Sequence, residues 1–177
     1  MGQPKAPLKL AEGDRLLDRV HRALNEVGLR VTLVGEGPIT AGTAELERIP
    51  DASGVPGPLG GILGALEHDP NVSWLVVACD LALIRSEAIR WLLGQRGATH
   101  TAILPRITAH RVEPLFALYE PPAQELLRAI SRTGSPAPKR LERQPGVVTP
   151  EPPPDLRACW SNINTPDQVT ALGSHGV

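Results

Sequence analysis

The run Trp74-Leu-Val-Val-Ala-Cys79 is uniformly apolar and stops at Asp80. A short apolar run without alternation reads as a strand buried on both faces, which a parallel sheet covered by helices provides. Upstream lies the glycine-rich loop Asp51-Ala-Ser-Gly-Val-Pro-Gly-Pro-Leu-Gly-Gly61, followed by a helical pattern at Ile62, Leu63, Ala65 and Leu66. Loop, helix and strand form one unit with an acid at each end. An acid just past the carboxyl end of a buried parallel strand lies where open α/β sheets hold their ligands. Magnesium sites that serve phosphates take only one or two carboxylates, the rest being water and phosphate oxygens. The same pieces have plainer readings. A lone Asp after a strand also forms turns or caps helices, and Gly57-Pro58-Leu59-Gly60-Gly61 is also a tight turn with Pro58 at the first helical position.

The rest of the chain alternates helix and strand patterns, as a mostly parallel α/β sheet requires. Residues 14 to 27 carry Leu16, Leu17, Val20, Ala23, Leu24 and Val27 at helical spacing, with Gly28 as the stop. Arg30 to Val34 reads as a strand ending at Gly35, and 44 to 50 as a short turn and strand leading to Asp51. Ser86 is placed to cap a helix bearing Ile89, Leu92 and Leu93. His100 to Leu104 is a further strand, and Val112 to Tyr119 is extended, with Pro114 arguing for an edge or irregular strand. Pro122 to Arg132 is an amphipathic helix. The proline-rich 134 to 154 is irregular around one short helix and one short strand. Ala158 to Ile163 reads as a strand and Pro166 to Leu172 as a last helix. The 177 residues form one domain, 1–177, with no internal repeat.

Charge excludes some partners. Eighteen basic residues against 19 acidic ones leave a net charge of −1 with no basic run, so neither duplex nucleic acid nor an anionic membrane is an expected partner. The aromatics Trp74, Trp91, Phe116, Tyr119 and Trp160 are too scattered for a base-stacking platform. Cys79 and Cys159 form no Cys-x-x-Cys pair, and no two of the five histidines stand at metal-ligand spacing. Without a signal-peptide pattern or an apolar run of about 18 residues, a cytoplasmic location is the expectation.

Two motifs remain, Arg111-Val-Glu-Pro-Leu-Phe-Ala-Leu-Tyr119 and Ser161-Asn-Ile-Asn-Thr-Pro-Asp-Gln168. In the second, Thr165, Pro166 and Gln168 form a helix start with a capping box. Asn162 and Asn164 are left over; they would alternate onto one strand face, where paired amides suit a heterocycle.

Met1-Gly-Gln-Pro-Lys5, Asp51 with Gly57-Pro-Leu-Gly-Gly61, Ala78-Cys-Asp-Leu81, Pro114-Leu-Phe-Ala-Leu118 and Asn162-Ile-Asn-Thr-Pro166 occur in an order that resembles the molybdenum cofactor guanylyltransferases along nearly the whole chain. The resemblance implies a Rossmann-like nucleotidyltransferase sheet and Mg²⁺-dependent transfer of GMP from GTP to molybdopterin, with release of pyrophosphate. It implies Asp80 as the Mg²⁺ and GTP ligand, Asp51 as a second GTP-contacting acid and Lys5 as a phosphate-contacting lysine. Gly35 stands where some members have a nucleotide-contacting asparagine, which leaves a backbone contact there. Asn162 and Asn164 match the molybdopterin side of the cleft. Molybdoenzymes or other cofactor-assembly proteins are the implied macromolecular partners. Glu113 and Ala82 depart from the family's usual His and Pro.

The family also carries a first strand and a loop Leu-Ala-Gly-Gly-x-Ser-x-Arg just before the segment matching Met1-Gly-Gln-Pro-Lys5. Three accounts are open: a native chain longer by about 15–20 residues, one strand and its loop, a degenerate non-catalytic cofactor-binding or chaperone-like module, or one part of a split protein. The sister activity, a CTP-using cytidylyltransferase, is also open.

Overall fold

The computed structural model describes residues 16–37 and 39–161. Its first element, helix α1 (Leu16–Asn25), buries Leu16, Leu17, Val20, Ala23 and Leu24 on one face. It ends in a left-handed turn at Gly28 (φ 77°). There Gly28 N–H bonds Asn25 O at 2.9 Å and Leu29 N–H bonds Leu24 O at 3.3 Å, the paired bonds of a Schellman stop. Strand β1 (Thr32–Val34) follows, then a 3₁₀ turn at Ala41–Thr43 and strand β2 (Glu47–Ile49), parallel to β1 in the register Thr32 to Glu47. Helix α2 (Pro58–His68) leads into strand β3 (Trp74–Val77), and α3 (Ser86–Leu93) packs against α1.

The second half supplies β4 (Ala102–Ile103), the hairpin β5 (Arg106–Thr108) and β6 (Arg111–Val112), β7 (Phe116–Tyr119), α4 (Ala123–Ser131) and, after a 3₁₀ segment at Pro138–Arg143, β8 (Val147–Val148). The main sheet has the order β3-β7-β4-β8. Three of its strands run one way, and β7 runs antiparallel to both neighbours.

Strand alternation divides the core between the two sheet faces. Phe116 and Leu118 join Val20, Leu24, Ile89, Leu92 and Trp160 beneath α1 and α3. Ala117 and Tyr119 join Leu59, Ile62, Leu63, Leu66 and Leu127 beneath α2 and α4. Helices on both faces of the sheet give a three-layer α/β architecture.

Several sequence expectations change. Trp74 to Val77 are half-buried rather than fully buried, because among the described residues β3 pairs with β7 alone. The stretch Val112 to Tyr119 is irregular, as one of the two readings of Pro114 had it, being broken into β6 and β7; β7 is an interior strand, not the edge of the other reading. Pro114 falls in the break, where no ladder donor is required. Ser86 is the first residue of α3 and Arg85 its cap. The helix expected after Gly61 begins earlier, at Pro58. Arg157–Trp160 is a 3₁₀ turn, not a strand. The turn is set by Pro153, whose carbonyl accepts from Leu156 and Arg157 N–H at 3.0 and 3.1 Å. It delivers Trp160 onto Phe116, with ring centroids 4.5 Å apart and stacked. The predicted helix at 166 to 172 lies outside the described residues.

Candidate functional site

Because β1 and β2 are adjacent and parallel, the segments that leave their carboxyl ends emerge side by side. Gly35 leaves β1 with φ 79°, its N–H bonded to Ile49 O at 2.9 Å. Asp51 follows β2, and its carboxylate rests against the bare Cα of Gly35. A Cβ at residue 35 would lie 2.9 Å from Asp51 Oδ1. On its other side the carboxylate meets the first turn of α2, where a Cβ on Gly61 would lie 3.4 Å from the same oxygen. Asp51 is exposed, so two glycines form walls around an acid that is open to solvent. A carboxylate beside a helix's amino-terminal turn is also favoured by the helix dipole.

Gly60 and Gly64 explain how α2 comes so close. They lie four residues apart on one helix face, and that face is pressed onto the segment 50–55. A Cβ at 60 would fall 2.3 Å from Val55 O, and one at 64 would fall 2.4 Å from Pro50 O. Ala52 N–H bonds Gly60 O at 3.0 Å, fixing the loop to the helix. Pro58 opens the helix without forfeiting a bonded N–H, as the plainer sequence reading held.

Asp80 is only 9% exposed. It follows β3, whose ladder continues past Val77 through Ala78 N–H to Leu115 O at 2.7 Å. Helix α2 packs against β1, β2 and β3. The two candidate acids thus follow the strands that precede and follow one helix. Lys5, Asn162 and Asn164 lie outside the described residues.

Glu113, at the departure from the family pattern, is buried and holds the turn after β6. Its Oε1 accepts Leu115 N–H at 3.2 Å, and its Oε2 accepts from Arg111 Nη2 at 2.9 Å. Tyr119 donates its hydroxyl to Pro114 O at 2.7 Å. Burial first, then the nearby Glu113 charge, push its phenol well above the usual value.

Sequence reading missed Arg48. It projects from β2 and grips the loop after β1, donating Nε to Gly35 O and Nη2 to Gly37 O, each at 2.8 Å. No motif marks it. Only the β1–β2 register, with Leu33 beside Arg48, brings it to that loop.

Among the described residues, no three His, Cys, Asp or Glu side chains converge into a metal cage. A lone carboxylate at a sheet end, offering hard oxygen donors, still fits Mg²⁺ of the kind that takes most of its ligands from water and phosphate. No helix among the described residues is long and apolar enough to cross a membrane.

Residues 1–146 match the family model described as the MobA-like NTP transferase domain. A protein of Pelotomaculum thermopropionicum named "Probable molybdenum cofactor guanylyltransferase" is 34% identical over 133 residues, covering 75% of this chain and 62% of that protein. A Clostridium perfringens protein of the same name is 29% identical over 123 residues, covering 70% and 60% respectively. The chain therefore spans about three-fifths of the length of these relatives. Among solved structures, molybdopterin-guanine dinucleotide biosynthesis protein A from Archaeoglobus fulgidus superposes with a TM-score of 0.72 at 24% identity, over 94% of this chain and 87% of that one. This likeness carries the fold. From the extent of the family match, the chain belongs to the MobA-like NTP transferase domain family.

Proposed function

We propose that the protein transfers GMP from GTP to molybdopterin, making the guanine dinucleotide cofactor and releasing pyrophosphate. The observation that carries this reading is the corner where Gly35, Gly61 and the exposed Asp51 carboxylate meet, in a chain similar to proteins named as guanylyltransferases. Glycine walls let a ligand approach backbone closely, and the acid offers acceptors to a polar ligand.

In the proposed reaction a phosphate oxygen of molybdopterin attacks the α-phosphorus of GTP. One P–O bond forms, the bond to the leaving pyrophosphate breaks, and no base is needed because the attacking phosphate is already ionised. The task is to bring two anions together in line and to neutralise charge. Asp80 would hold Mg²⁺, which when bound would offset charge on the α-phosphate and pyrophosphate. In this reading Lys5 would supply a positive point charge to the phosphates, Gly35 and Asp51 would contact the nucleotide, and Asn162 and Asn164 would serve the molybdopterin side.

The test is incubation of the protein with GTP, Mg²⁺ and molybdopterin, followed by assay of pyrophosphate and of the dinucleotide. Asp80→Asn is expected to lower turnover by at least about 100-fold, as loss of a charge-stabilising group does, with an unchanged far-UV spectrum. Near-parent GMP transfer by that variant would remove Asp80 from the role.

A further inference from the structure

We propose that Arg48 is a specificity-determining residue of the nucleotide site: it holds the Gly35–Gly37 loop and presents its remaining N–H donors to the acceptor edge of a guanine base. The inference rests on the guanylyltransferase reading and adds the element that selects the base. Three observations support it.

First, Gly35 has little of its own to offer a base. Gly35 has no side chain, its N–H is bonded to Ile49 O, and both the Gly35 and Gly37 carbonyls are occupied by Arg48. Second, Arg48 uses only Nε and one Nη2 donor in this grip, so the rest of its planar fork is open at an exposed position. Third, the Asp51 carboxylate against Gly35 repels a phosphate at that wall, which favours the uncharged base as the part of a nucleotide that fits against it. A fixed guanidinium suits guanine because O6 and N7 are adjacent acceptors that accept two N–H groups at once. Cytosine presents an amino donor on its corresponding edge, which a guanidinium cannot accept.

The hold on the loop matters as much as the donors. An arginine anchored at two carbonyls is already ordered before ligand arrives, so less side-chain entropy is lost on binding. Lysine at the same position keeps the charge but has neither the fork nor the paired grip.

The experiment measures binding of GTP and of CTP, each with Mg²⁺, to the full chain and to its Arg48→Ala and Arg48→Lys variants by calorimetry. Urea midpoints confirm that the variants fold. Hydrogen exchange at the amides of residues 35–37 is followed without nucleotide. The expected result is a loss of about tenfold in the GTP-to-CTP affinity ratio for Arg48→Ala, in line with a paired arginine–guanine contact. Arg48→Lys should not restore the ratio, and loop exchange should be faster in both variants. An unchanged ratio, or equal weakening of GTP and CTP, would overturn the assignment of Arg48 while leaving the nucleotide reading intact. If the parent chain binds neither nucleotide, the guanylyltransferase reading itself fails and the base-selecting role falls with it. Loop exchange then reports only whether Arg48 holds the loop.

Discussion

The three glycines of α2 should respond to alanine in opposite directions, although all three lie in one helix. Alanine in place of a helical glycine gains about 1 kcal/mol of propensity. At Gly61 the new Cβ meets Asp51 Oδ1 at 3.4 Å and Val34 Cγ1 at 3.8 Å, both ordinary contacts with side-chain atoms. Gly61→Ala is therefore expected to be neutral or to stabilise by up to about 1 kcal/mol. At Gly64 the new Cβ falls 2.4 Å from Pro50 O, 3.1 Å from Ala52 N and 3.2 Å from Asp51 Cα, and all three atoms belong to backbone. At Gly60 it falls 2.3 Å from Val55 O. Relief at either site requires separating α2 from the segment 50–55 by roughly 1 Å, an overpacking cost of about 2–3 kcal/mol at the upper end of such cases. After the propensity gain, Gly60→Ala and Gly64→Ala should each destabilise by about 1–2 kcal/mol.

Urea unfolding followed by circular dichroism reads this directly. With a slope of about 2 kcal/mol per molar urea, the Gly60 and Gly64 variants should shift their midpoints down by about 0.5–1 M. The Gly61 variant should hold or rise. The displaced segment carries Asp51, so nucleotide affinity should fall in the Gly64 variant even where the protein remains folded. A Gly64→Ala protein as stable as Gly61→Ala would refute the close approach of helix and loop on which the site geometry depends.

Other consequences are simpler to state. Burial raises the Glu120 carboxyl, but hydrogen bonds from Arg96 and Ser73 outweigh it and hold the group below the usual glutamate range. Its stabilising contribution is thus present above the unfolded value of about 4.3 and is lost as pH falls below that through the lower folded value. Urea midpoints of the parent and Glu120→Gln should differ at neutral pH and converge as the pH is lowered through that window. Convergence on raising the pH instead would contradict the sign. Trp160 donates Nε1–H to Phe116 O at 3.0 Å. Trp160→Phe should keep most of the stacking but leave that carbonyl unpaired, costing about 1–3 kcal/mol by thermal or urea denaturation. Glu113→Ala should cost a similar amount, because it removes the acceptor for Leu115 N–H and leaves Arg111 without its partner. A neutral result would mean that this carboxylate does not hold the turn.

The legibility of the fold depended on whether the signal was local. The α1 pattern and its Gly28 stop could be read because helix periodicity and a left-handed glycine are properties of neighbouring residues. The βα unit around Asp51 and Asp80 was legible for the same reason. Strand rank in the sheet was not. Trp74–Val77 is more apolar than Phe116–Tyr119 only in appearance, and the latter is the fully enclosed strand because it has a partner on each side. Apolar character shows that a strand can be buried, whereas pairing decides which strand is. The segment at Arg157–Trp160 misled because an apolar Ala-Cys-Trp reads as a strand, while the preceding prolines had already set a turn. The Gly35–Asp51 contact joins residues 16 positions apart through parallel pairing, so each could be nominated from the resemblance but their juxtaposition could not. Arg48 had no local signal of any kind.

These particulars explain why the glycine-rich stretch admits two readings, a helix start, which the structure has, and the ligand-facing wall of the proposed site. As a helix start, Gly57-Pro-Leu-Gly-Gly61 uses Gly57 for a positive φ of 70° and Pro58 for the first helical residue. As a ligand-facing wall, it needs Gly61 to leave space at the Asp51 carboxylate. The two uses do not compete, because they fall on different residues and different helix faces. Gly60 and Gly64 turn toward the backbone of the segment 50–55 and set how closely it approaches, while Gly61 turns toward the side chains of Asp51 and Val34. A helix start built only to turn the chain would need Gly57 and Pro58 and would favour alanine at 60, 61 and 64. The helix gives up about 1 kcal/mol of propensity at each of those positions. At 60 and 64 packing explains the loss, since a Cβ there would collide with backbone. At 61 packing does not, since a Cβ would fit, and in the proposed site the missing side chain leaves the approach to Asp51 open.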